Sequence, residues 1–491
     1  MSTRKQVLLK RYRRRKRVAL VAFACLLAGI GFFVGLGWMA LAFILGWMAH
    51  EAWFSDHLFY RPGTDYTYRF DEKLETLPVD FSEGRLTLAS GAMPDAGDTL
   101  VLAVTLCPAW AGYLFDPAVM IEAEGETGDR QTFERGAKGV RYLNLTGFAE
   151  ALRSGGVRLR GHHCCLLGVP RLWRVAHPDF RQKRLLVVAP HADDAELAAF
   201  GLYSQARESW IVTLTAGEVE TEHYRRMGLD NASAARLKGR LRAWDSLAAP
   251  LWAGVPIERA VQLGYFCMQL PAMRQSPAEA VASREAALSD TRFFRAFNHV
   301  KLESDRDGVP SWNNLVADLR EIILLAKPGL IVLPHPVFDP HPDHVAATEA
   351  VREALMGLAW QPEALLHYAN HLHDNDRWPM GEAHEGVALP PFFEPILAVN
   401  DKAVQAPGLP YALSLDRQSQ IDKAMALGMM HDLSVPLPFK KRLRRLLERC
   451  LAGRRHPAFG DNEYFRKAVR RHELFWVRKV VAEKSTIEQK V

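Results

Sequence analysis

The chain has few cysteines and no cysteine framework. It holds six among 491 residues, at spacings that show no pairing: Cys25, Cys107, Cys164, Cys165, Cys267 and Cys450. This pattern fits a reducing compartment, where disulfides are rare. The chain also lacks internal repeats, low-complexity segments and any recognisable motif for reading nucleic acid. These absences argue against repeat architectures and make nucleic acid a poor candidate partner.

Charge is also absent from one long stretch. Residues 18–49 form a run of 32 residues without a charged side chain, and residues 1–17 before it include nine lysines or arginines and no acid. A membrane-spanning helix needs about 20 apolar residues, whereas the apolar region of a cleaved signal peptide has only about 7–15. The sequence therefore predicts a basic cytoplasmic N-terminus over residues 1–17 and a membrane segment over residues 18–50.

The form of the membrane segment stays open. A single helix of that length extends about 48 Å, well beyond a hydrocarbon core of about 30 Å. Gly29, Gly31, Gly35 and Gly37 cluster near the middle, where a helical hairpin would turn. Because the basic N-terminus stays in the cytoplasm, a single span would put the rest of the chain in the periplasm, whereas a hairpin would return it to the cytoplasm.

The C-terminal segment, residues 439–491, is strongly basic. Between Lys440 and Lys484 there are 15 lysines or arginines against five acids, with apolar side chains interleaved. Basic amphipathic helices of this kind lie on anionic cytoplasmic leaflets, although a solvated helix packed on the domain shows the same pattern. Together with the cysteine usage, this segment favours a bacterial inner-membrane protein whose residues after the membrane segment face the cytoplasm.

Residues 61–177 differ from the rest of the chain in their hydrophobic pattern. Short alternating or apolar runs, such as residues 99–106 and 157–160, are broken at short intervals by glycine, proline and aspartate. This pattern predicts a β-rich, sandwich-like domain. Such a domain could dock a glycan or act as a spacer.

Two short motifs carry the chemistry. The first, Pro-His-Ala-Asp-Asp-Ala-Glu at residues 190–196, follows the apolar run 185–189, and the second, His-Pro-Asp-His at residues 341–344, follows the apolar run 330–333. Both runs are typical of buried parallel strands, and open α/β sheets place catalytic groups at the carboxyl ends of such strands. Histidine and carboxylate together suit a zinc-type ion, and three protein ligands leave a position for water. Each motif alone could instead be a turn or a helix cap.

The two motifs resemble the signatures of the PIG-L/LmbE family of zinc-dependent de-N-acetylases. Further landmarks agree in order: Thr-Ala-Gly-Glu at residues 215–218, Leu-Gly-Tyr at residues 263–265, and a late helix with Lys423 followed by His431. Ala192 departs from the family, which usually has proline there. The resemblance covers roughly residues 183–433 and implies a Rossmann-like α/β domain with a mostly parallel sheet.

Carried over position by position, the resemblance implies a role for each motif residue. His191, Asp194 and His344 would hold zinc, or alternatively iron(II). Asp193 would be the general base, a protonated His341 would stabilise the oxyanion, and Asp343 would orient a histidine. Arg240 or Arg236 and Glu218 are tentative substrate contacts, with a solvated arginine as the alternative for the helix positions.

Several other histidines lie near the second motif. His335 is predicted to be a loop histidine beside the pocket. His367, His371 and His373 alternate as if on one face of a strand, where they could line the substrate groove, be exposed, or hold a second metal.

The predicted activity is removal of an N-acetyl group from an N-acetylhexosamine. Because a membrane anchor helps only when the substrate is at the membrane, the expected partner is a lipid- or nucleotide-linked amino sugar or an envelope glycan such as lipopolysaccharide core. Two alternatives stay open: hydrolysis of another N-acyl amide, in a lipid or thiol-sugar conjugate, and a non-catalytic glycan-binding protein.

Overall fold

The computed structural model describes residues 3–55, 62–63, 70, 74–89, 93–123, 127–372, 375, 377–391 and 408–480. His373 and residues 481–491 of the predicted C-terminal segment lie outside the described residues, as do several positions between 56 and 73.

The N-terminal part is an antiparallel pair of helices. Helix α1 runs Thr3–Phe33, and α2 runs Leu36–Ala49 and continues into a π-helical turn, His50–Phe54. The chain reverses at Gly35, whose φ of 115° is a conformation that glycine adopts without steric cost. A Cβ on Gly46 would collide with the ring of Phe23, so the helices pack closely there. Residues 18–50 are therefore two helices joined by a turn, and whether they span the membrane once or as a hairpin stays a prediction.

Helix α1 contains the stretch Leu9–Phe33, which is long and apolar enough to cross a membrane. That criterion concerns length and composition, and a signal sequence near the N-terminus also meets it. Helix α2 has 14 residues. It spans about 21 Å, which is shorter than a hydrocarbon core of about 30 Å. Helix α1 is therefore long enough to cross the hydrocarbon core, whereas α2 alone is shorter than the core.

The β-rich part consists of two antiparallel sheets, with strand orders β1-β9-β4-β7 and β2-β3-β8-β5-β6. Its elements are β1 Thr76–Leu77, β2 Val79–Ser82, β3 Arg85–Leu88, β4 Thr99–Pro108, β5 Ala118–Ala123, β6 Asp129–Thr132, β7 Gly139–Asn144, α3 Ala149–Ser154, β8 Val157–His162 and β9 Cys164–Val175. Leu102 and Leu172 of the first sheet share a buried cluster with Leu86 and Val119 of the second. Strand β8 alternates buried and exposed positions, as expected for a strand with one face in a core.

The part that contains both sequence motifs, called the catalytic part after its predicted role, is built on a seven-stranded sheet of order β12-β11-β10-β13-β14-β16-β15. Its strands are β10 Arg184–Ala189, β11 Glu208–Thr215, β12 Ala260–Tyr265, β13 Leu330–Pro334, β14 Ala364–Tyr368, β15 Leu409–Ser414 and β16 His472–Lys479. The first five in spatial order are parallel, and β16 pairs antiparallel with β14 and β15. The predicted α/β architecture is confirmed, with a mixed sheet.

Ten helices accompany this sheet in the described part of the chain, and several of them cover its two faces. They are α4 Asp194–Gln205, α5 Glu222–Arg225, α6 Asn231–Trp252, α7 Leu270–Gln275, α8 Arg292–Arg295, α9 Trp312–Ala326, α10 Pro342–Leu355, α11 Arg417–Gly428, α12 Phe439–Ala452 and α13 Glu463–Ala468. Leu186 and Val188 of β10 enter one core cluster, and Leu185 and Val187 enter the cluster on the opposite face. A strand buried on both faces is therefore a continuous apolar run.

The predicted helical segment 439–491 is wrong in its last described part. Residues 472–479 form β16, which lies inside the seven-stranded sheet, so the catalytic part extends beyond the predicted limit of residue 433. The apolar run Leu474–Val477 is buried on both faces. Because basic residues flank this run on both sides, the average composition of the segment does not indicate a buried strand.

The β-rich part packs against the catalytic sheet. Val101 and Trp173, on the outer face of the four-stranded sheet, share a buried cluster with Phe338, Ala412 and Trp476 of the catalytic part. The N–H of Ala412 donates to Oγ1 of Thr99 over 2.9 Å, which joins β15 to β4. The two parts therefore share an apolar interface.

Candidate metal centre

The two sequence motifs meet at one edge of the sheet. Strands β10 and β13 are neighbours and run parallel, so the loops after them leave the sheet at the same edge. The first loop leads into α4 and the second into α10, which begins with Pro342, a residue suited to the first turn of a helix. His191, Asp194 and His344 are 9%, 1% and 0% exposed. The fold thus brings the three predicted ligands together in a nearly dry site.

Three side-chain donors form a small triangle. Oδ2 of Asp194 lies 3.1 Å from Nδ1 of His191 and 3.1 Å from Nε2 of His344, and the two nitrogens are 3.3 Å apart. Ligands held tetrahedrally by one zinc ion at about 2.0–2.1 Å lie about 3.3 Å from one another. Two imidazoles and one carboxylate are also the donor types that zinc takes in hydrolytic sites. The residues therefore fit a zinc-type ion.

A second layer of polar groups orients these donors. Nδ1 of His344 lies 2.9 Å from Oδ2 of Asp339, which also accepts hydrogen bonds from the backbone N–H groups of Asn370 (3.0 Å) and His371 (3.1 Å). The side-chain amide of Asn370 donates to Oδ1 of Asp194 over 2.8 Å. Partners of this kind set the tautomer and orientation of metal-binding histidines. Neither Asp339 nor Asn370 is among the residues predicted from the sequence.

Asp343 contacts the other ring nitrogen of His191. Its Oδ2 lies 3.3 Å from Nε2 of His191 and accepts the backbone N–H of Met268 at 2.6 Å. The structure therefore places Asp343 against a candidate ligand histidine, the position implied by the resemblance.

The electrostatics of the centre favour positive charge. Burial lowers the pKa of His344, but Asp194 and Asp339 outweigh burial and raise it to about 10. Burial raises the pKa of Asp194, but the charges and hydrogen bonds of His344 and His191 bring it well below its usual range. Carboxylates packed against imidazoles in a buried site stabilise a cation among them.

Asp193 lies beside the triangle but bonds elsewhere. Its Oδ1 accepts a hydrogen bond of 3.0 Å from Nη2 of Arg242, and Nη1 of Arg242 donates to Oδ2 of Asp432 over 2.7 Å. Gly217, in the Thr-Ala-Gly-Glu turn, has φ of 65°, and a Cβ there would collide with the guanidinium of Arg242. The glycine of that turn thus makes room for the arginine that holds Asp193.

Arg242 was missed because the prediction chose other positions on the same helix. Arg240 lies on the exposed face of α6, over the ring of Phe297 at 5.8 Å, whereas Arg242 is 7% exposed. Two residues of helix turn the side chain by about 200°, to the opposite face. Ala235, Lys238 and Arg242 are all buried, with the spacing of one helix face, and this periodicity could have identified Arg242.

The position of Glu218 does not fit the tentative role in binding substrate. It is fully buried, and its carboxylate accepts hydrogen bonds from the N–H of Cys267 (3.0 Å) and from Oγ of Ser283 (2.8 Å). Burial raises its pKa. Since both oxygens are engaged inside the protein, Glu218 stabilises the loops around the site. Arg240 lies on the exposed face of α6, opposite the buried face that holds Arg242.

His341 lies at the same centre. Donor atoms of His191, His341 and His344 lie within 4.8 Å of one another, and the ring of His341 stacks on His371 at 5.4 Å. Burial and the three neighbouring imidazoles lower the pKa of His341 to about 4. Without a metal ion these neighbours favour the neutral imidazole, and the protonated His341 stays a prediction of the resemblance.

Of the other histidines predicted near the second motif, His335 and His367 are buried in the core and His371 lies at the site. Nδ1 of His335 accepts the N–H groups of Val337 (3.1 Å) and Phe338 (3.0 Å), so it shapes the loop after β13. Nδ1 of His367 lies 3.0 Å from the carbonyl oxygen of Pro334, and this side chain is buried in the sheet. His371 follows the end of β14 and has a donor atom within 4.8 Å of donors of Asp194 and His344. His371 thus lines the same centre.

Comparison with known proteins identifies one domain. Residues 186–355 match the profile of the PIG-L family, described as GlcNAc-PI de-N-acetylase. No curated protein matches the chain. The matched residues contain His191, Asp193, Asp194, His341, Asp343 and His344.

Three solved structures are similar in part. A teicoplanin deacetylase in its zinc-inhibited form is 19% identical, with 60% of this chain and 98% of that chain covered and a TM-score of 0.30. A conserved protein from Thermus thermophilus is 16% identical, with 55% and 89% covered and a TM-score of 0.26. A 4-carboxy-2-hydroxymuconate hydratase from Pseudomonas putida is 16% identical, with 54% and 83% covered and a TM-score of 0.28. At such TM-scores overall likeness does not indicate a shared function.

The resemblance seen in the motifs is therefore confirmed over the strand β10, the loops that carry both motifs, and helix α10. Residues 186–355, about a third of the chain, are similar to the PIG-L family, described as GlcNAc-PI de-N-acetylase.

Proposed function

We propose that the protein is a metal-dependent de-N-acetylase that hydrolyses the N-acetyl group of an N-acetylhexosamine. The observation that carries the proposal is the donor triangle of His191, Asp194 and His344, with a separate carboxylate, Asp193, held beside it by Arg242. The match of residues 186–355 to the PIG-L family supports the same reaction.

The reaction needs an activated water and a stabilised oxyanion, because an amide carbon is a poor electrophile. A zinc ion bound by His191, Asp194 and His344 would act as a Lewis acid and lower the pKa of a bound water to about 7. Iron(II) is the alternative metal for this donor set.

Asp193 is the group that takes the proton of the attacking water and passes it to the leaving amine. Its Oδ1 is held by Arg242, so the carboxylate keeps one orientation while its other oxygen remains for proton transfer. In the described part of the chain, the buried Nδ1 of His341 has no hydrogen-bond partner. An N–H group there would donate to the oxyanion, which develops only in the transition state.

We place the substrate at a membrane, as a lipid- or nucleotide-linked amino sugar or an envelope glycan such as lipopolysaccharide core. Helix α1 supports this location, because it is apolar enough to cross a bilayer. The reversal at Gly35 and the basic residues 1–17 favour a bacterial inner-membrane protein with its catalytic part in the cytoplasm.

The test is acetate release by the detergent-purified full chain, with zinc, from a panel of nucleotide-, lipid- and core-oligosaccharide-linked N-acetylhexosamines. Asp193→Ala and Asp194→Ala variants are measured beside it. Acetate release by the wild type that disappears in both variants supports the proposal, and the preferred substrate then identifies the pathway. Bound metal without acetate release from any of these substrates would overturn the choice of acyl group.

A further inference from the structure

A basic cavity lies apart from the metal centre, between α12, the β-rich part and the loop around residues 377–382. Its volume is about 720 Å³. One face of α12 lines it, with Lys441, Arg444, Arg445 and Glu448 at the spacing of successive helical turns. The β-rich part contributes Phe115, Asp116, Arg130, Thr132, His162 and His163.

Positive charge exceeds negative charge in this cavity. Eight lysines and arginines line it, against five carboxylates. The carboxylates are engaged: Asp116 lies 3.0 Å from Arg377 and 3.4 Å from Arg454, and Asp461 lies 3.1 Å from Arg445. Although burial raises the pKa of Asp116, the surrounding arginines bring it well below its usual range.

Two cations of the lining have no carboxylate partner. Lys441 and Arg455 line the cavity and are exposed, and neither forms an ion pair with any residue in the described ranges. An arginine and a lysine that line the same concave, basic surface suit a phosphate group, because arginine binds its oxygens in pairs and lysine supplies a point charge.

The cavity borders the end of the helical hairpin. Ser55 lines it, and Nε of Arg444 donates to Oε2 of Glu51 over 2.6 Å. Trp53, in the π-helical turn, packs edge-on against Phe115 with ring centroids 6.4 Å apart. A ligand in the cavity therefore lies where the chain leaves the hairpin.

Aromatic side chains project from the same region of the β-rich part. Trp110 and Tyr113 are 80% and 62% exposed, in the turn that leads to Phe115. That turn is tied to His163, whose carbonyl oxygen accepts the N–H of Ala109 at 3.0 Å. Tryptophan and tyrosine are enriched at the lipid headgroup level of membrane proteins, so two exposed side chains of these types fit a surface that faces a bilayer.

We propose that this cavity binds the phosphate headgroup of an anionic membrane phospholipid. The net positive lining recognises the phosphate, and the hairpin and exposed aromatic residues present the cavity to the bilayer surface. Helix α13 connects this site to the metal centre: Glu463 and Arg466 line the cavity, while Tyr464 packs edge-on against His371 at 6.2 Å. A bound headgroup thus contacts the helix that also borders the catalytic site.

The experiment uses the full-length protein in an uncharged detergent. A soluble short-chain phosphatidylglycerol is titrated and binding is measured by calorimetry, with short-chain phosphatidylcholine and inorganic phosphate as parallel ligands. The test variant is Lys441→Gln/Arg455→Gln. The matched control is Lys440→Gln/Arg449→Gln, which removes the same charge from exposed positions of α12 that do not line the cavity.

The expected result is that phosphatidylglycerol binds the wild type more tightly than either comparison ligand. The cavity variant should lose about tenfold or more in affinity, since each lost cation removes a charge-assisted hydrogen bond. The control should stay within about twofold of wild type, because a surface charge acts only through the general field.

Three results would overturn the proposal: wild-type affinity in the cavity variant, an equal loss in the control, or inorganic phosphate binding as tightly as phosphatidylglycerol. The single variant Arg455→Gln repeats the test if the double variant has an altered melting temperature. None of these outcomes depends on acetate release.

Discussion

Arg242 holds Asp193 and Asp432 at once, with Nη2 3.0 Å from Oδ1 of Asp193 and Nη1 2.7 Å from Oδ2 of Asp432. Lys238 adds a second cation, 3.0 Å from Asp432. The proposed general base is therefore anchored by a residue that belongs to neither sequence motif, and Arg242 is a positioning residue for Asp193.

The first prediction concerns this anchor. Arg242→Gln should lower kcat for deacetylation by about tenfold to a hundredfold, a part of the roughly 10²–10⁴ that a positioned base contributes. Zinc content and KM should change little, because Arg242 contacts none of the three metal donors. The control is Arg240→Gln, two residues away on the exposed face of α6, which should keep wild-type kinetics. An unchanged kcat in Arg242→Gln would contradict the assigned role.

A second prediction tests the support of His344. Asp339→Asn should weaken zinc binding by about 10–100-fold, because this carboxylate orients a ligand histidine through its Nδ1. Competition with a chromophoric chelator measures the affinity directly. Glu349→Gln, on the outer side of α10, serves as the control and should bind zinc as the wild type does. Equal affinities in all three proteins would show that Asp339 does not support the centre.

The sequence motifs predicted the centre because they combine local chemistry with position after a strand. His191, Asp194 and His344 each lie in the loop or first helical turn that follows β10 or β13, so sheet topology alone brings them together. Arg242, Asp339 and Asn370 escaped prediction because their roles arise from packing between elements distant in sequence. Asn370, for example, reaches Asp194 from the end of β14, 176 residues later.

The C-terminal strand escaped prediction for another reason. Strand β16 is an apolar run inside a basic segment, so its composition indicated a helix on a membrane surface. The partner strands β14 and β15 are what make it a strand, and neither is adjacent to it in the chain. The sequence of the segment and its neighbours gives no indication that it pairs with β14 and β15.

A third prediction concerns a buried ion pair behind α4. Lys423 and Glu473 are each 1% exposed and lie 2.8 Å apart, and the carboxylate also accepts the N–H groups of Gly201 and Leu202. Lys423→Met should lower the free energy of unfolding by about 3–5 kcal/mol, since it leaves a buried carboxylate without its cation. Denaturant titration in detergent provides the measurement. The double variant Lys423→Met/Glu473→Gln should recover part of the loss, and no recovery would argue against charge as the cause.

A fourth prediction addresses topology. A hairpin in the membrane that reverses at Gly35 would return the chain to the side of its basic N-terminus, so we predict that a reporter fused after Val491 is active only in the cytoplasm. The measurement pairs a cytoplasm-specific reporter with a periplasm-specific one on otherwise identical chains. Activity of the periplasmic fusion alone would mean that a single span crosses the membrane and that the catalytic part lies outside.

We infer that His191, Asp194 and His344 hold a metal while Asp193 performs proton transfer. The most direct test measures bound zinc and acetate release in the same preparations of wild type and Asp193→Asn. We predict about one zinc per chain in both proteins and a rate lower by about 10²–10⁴ in the variant. Wild-type acetate release by Asp193→Asn, or loss of its zinc together with its activity, would contradict this division of roles.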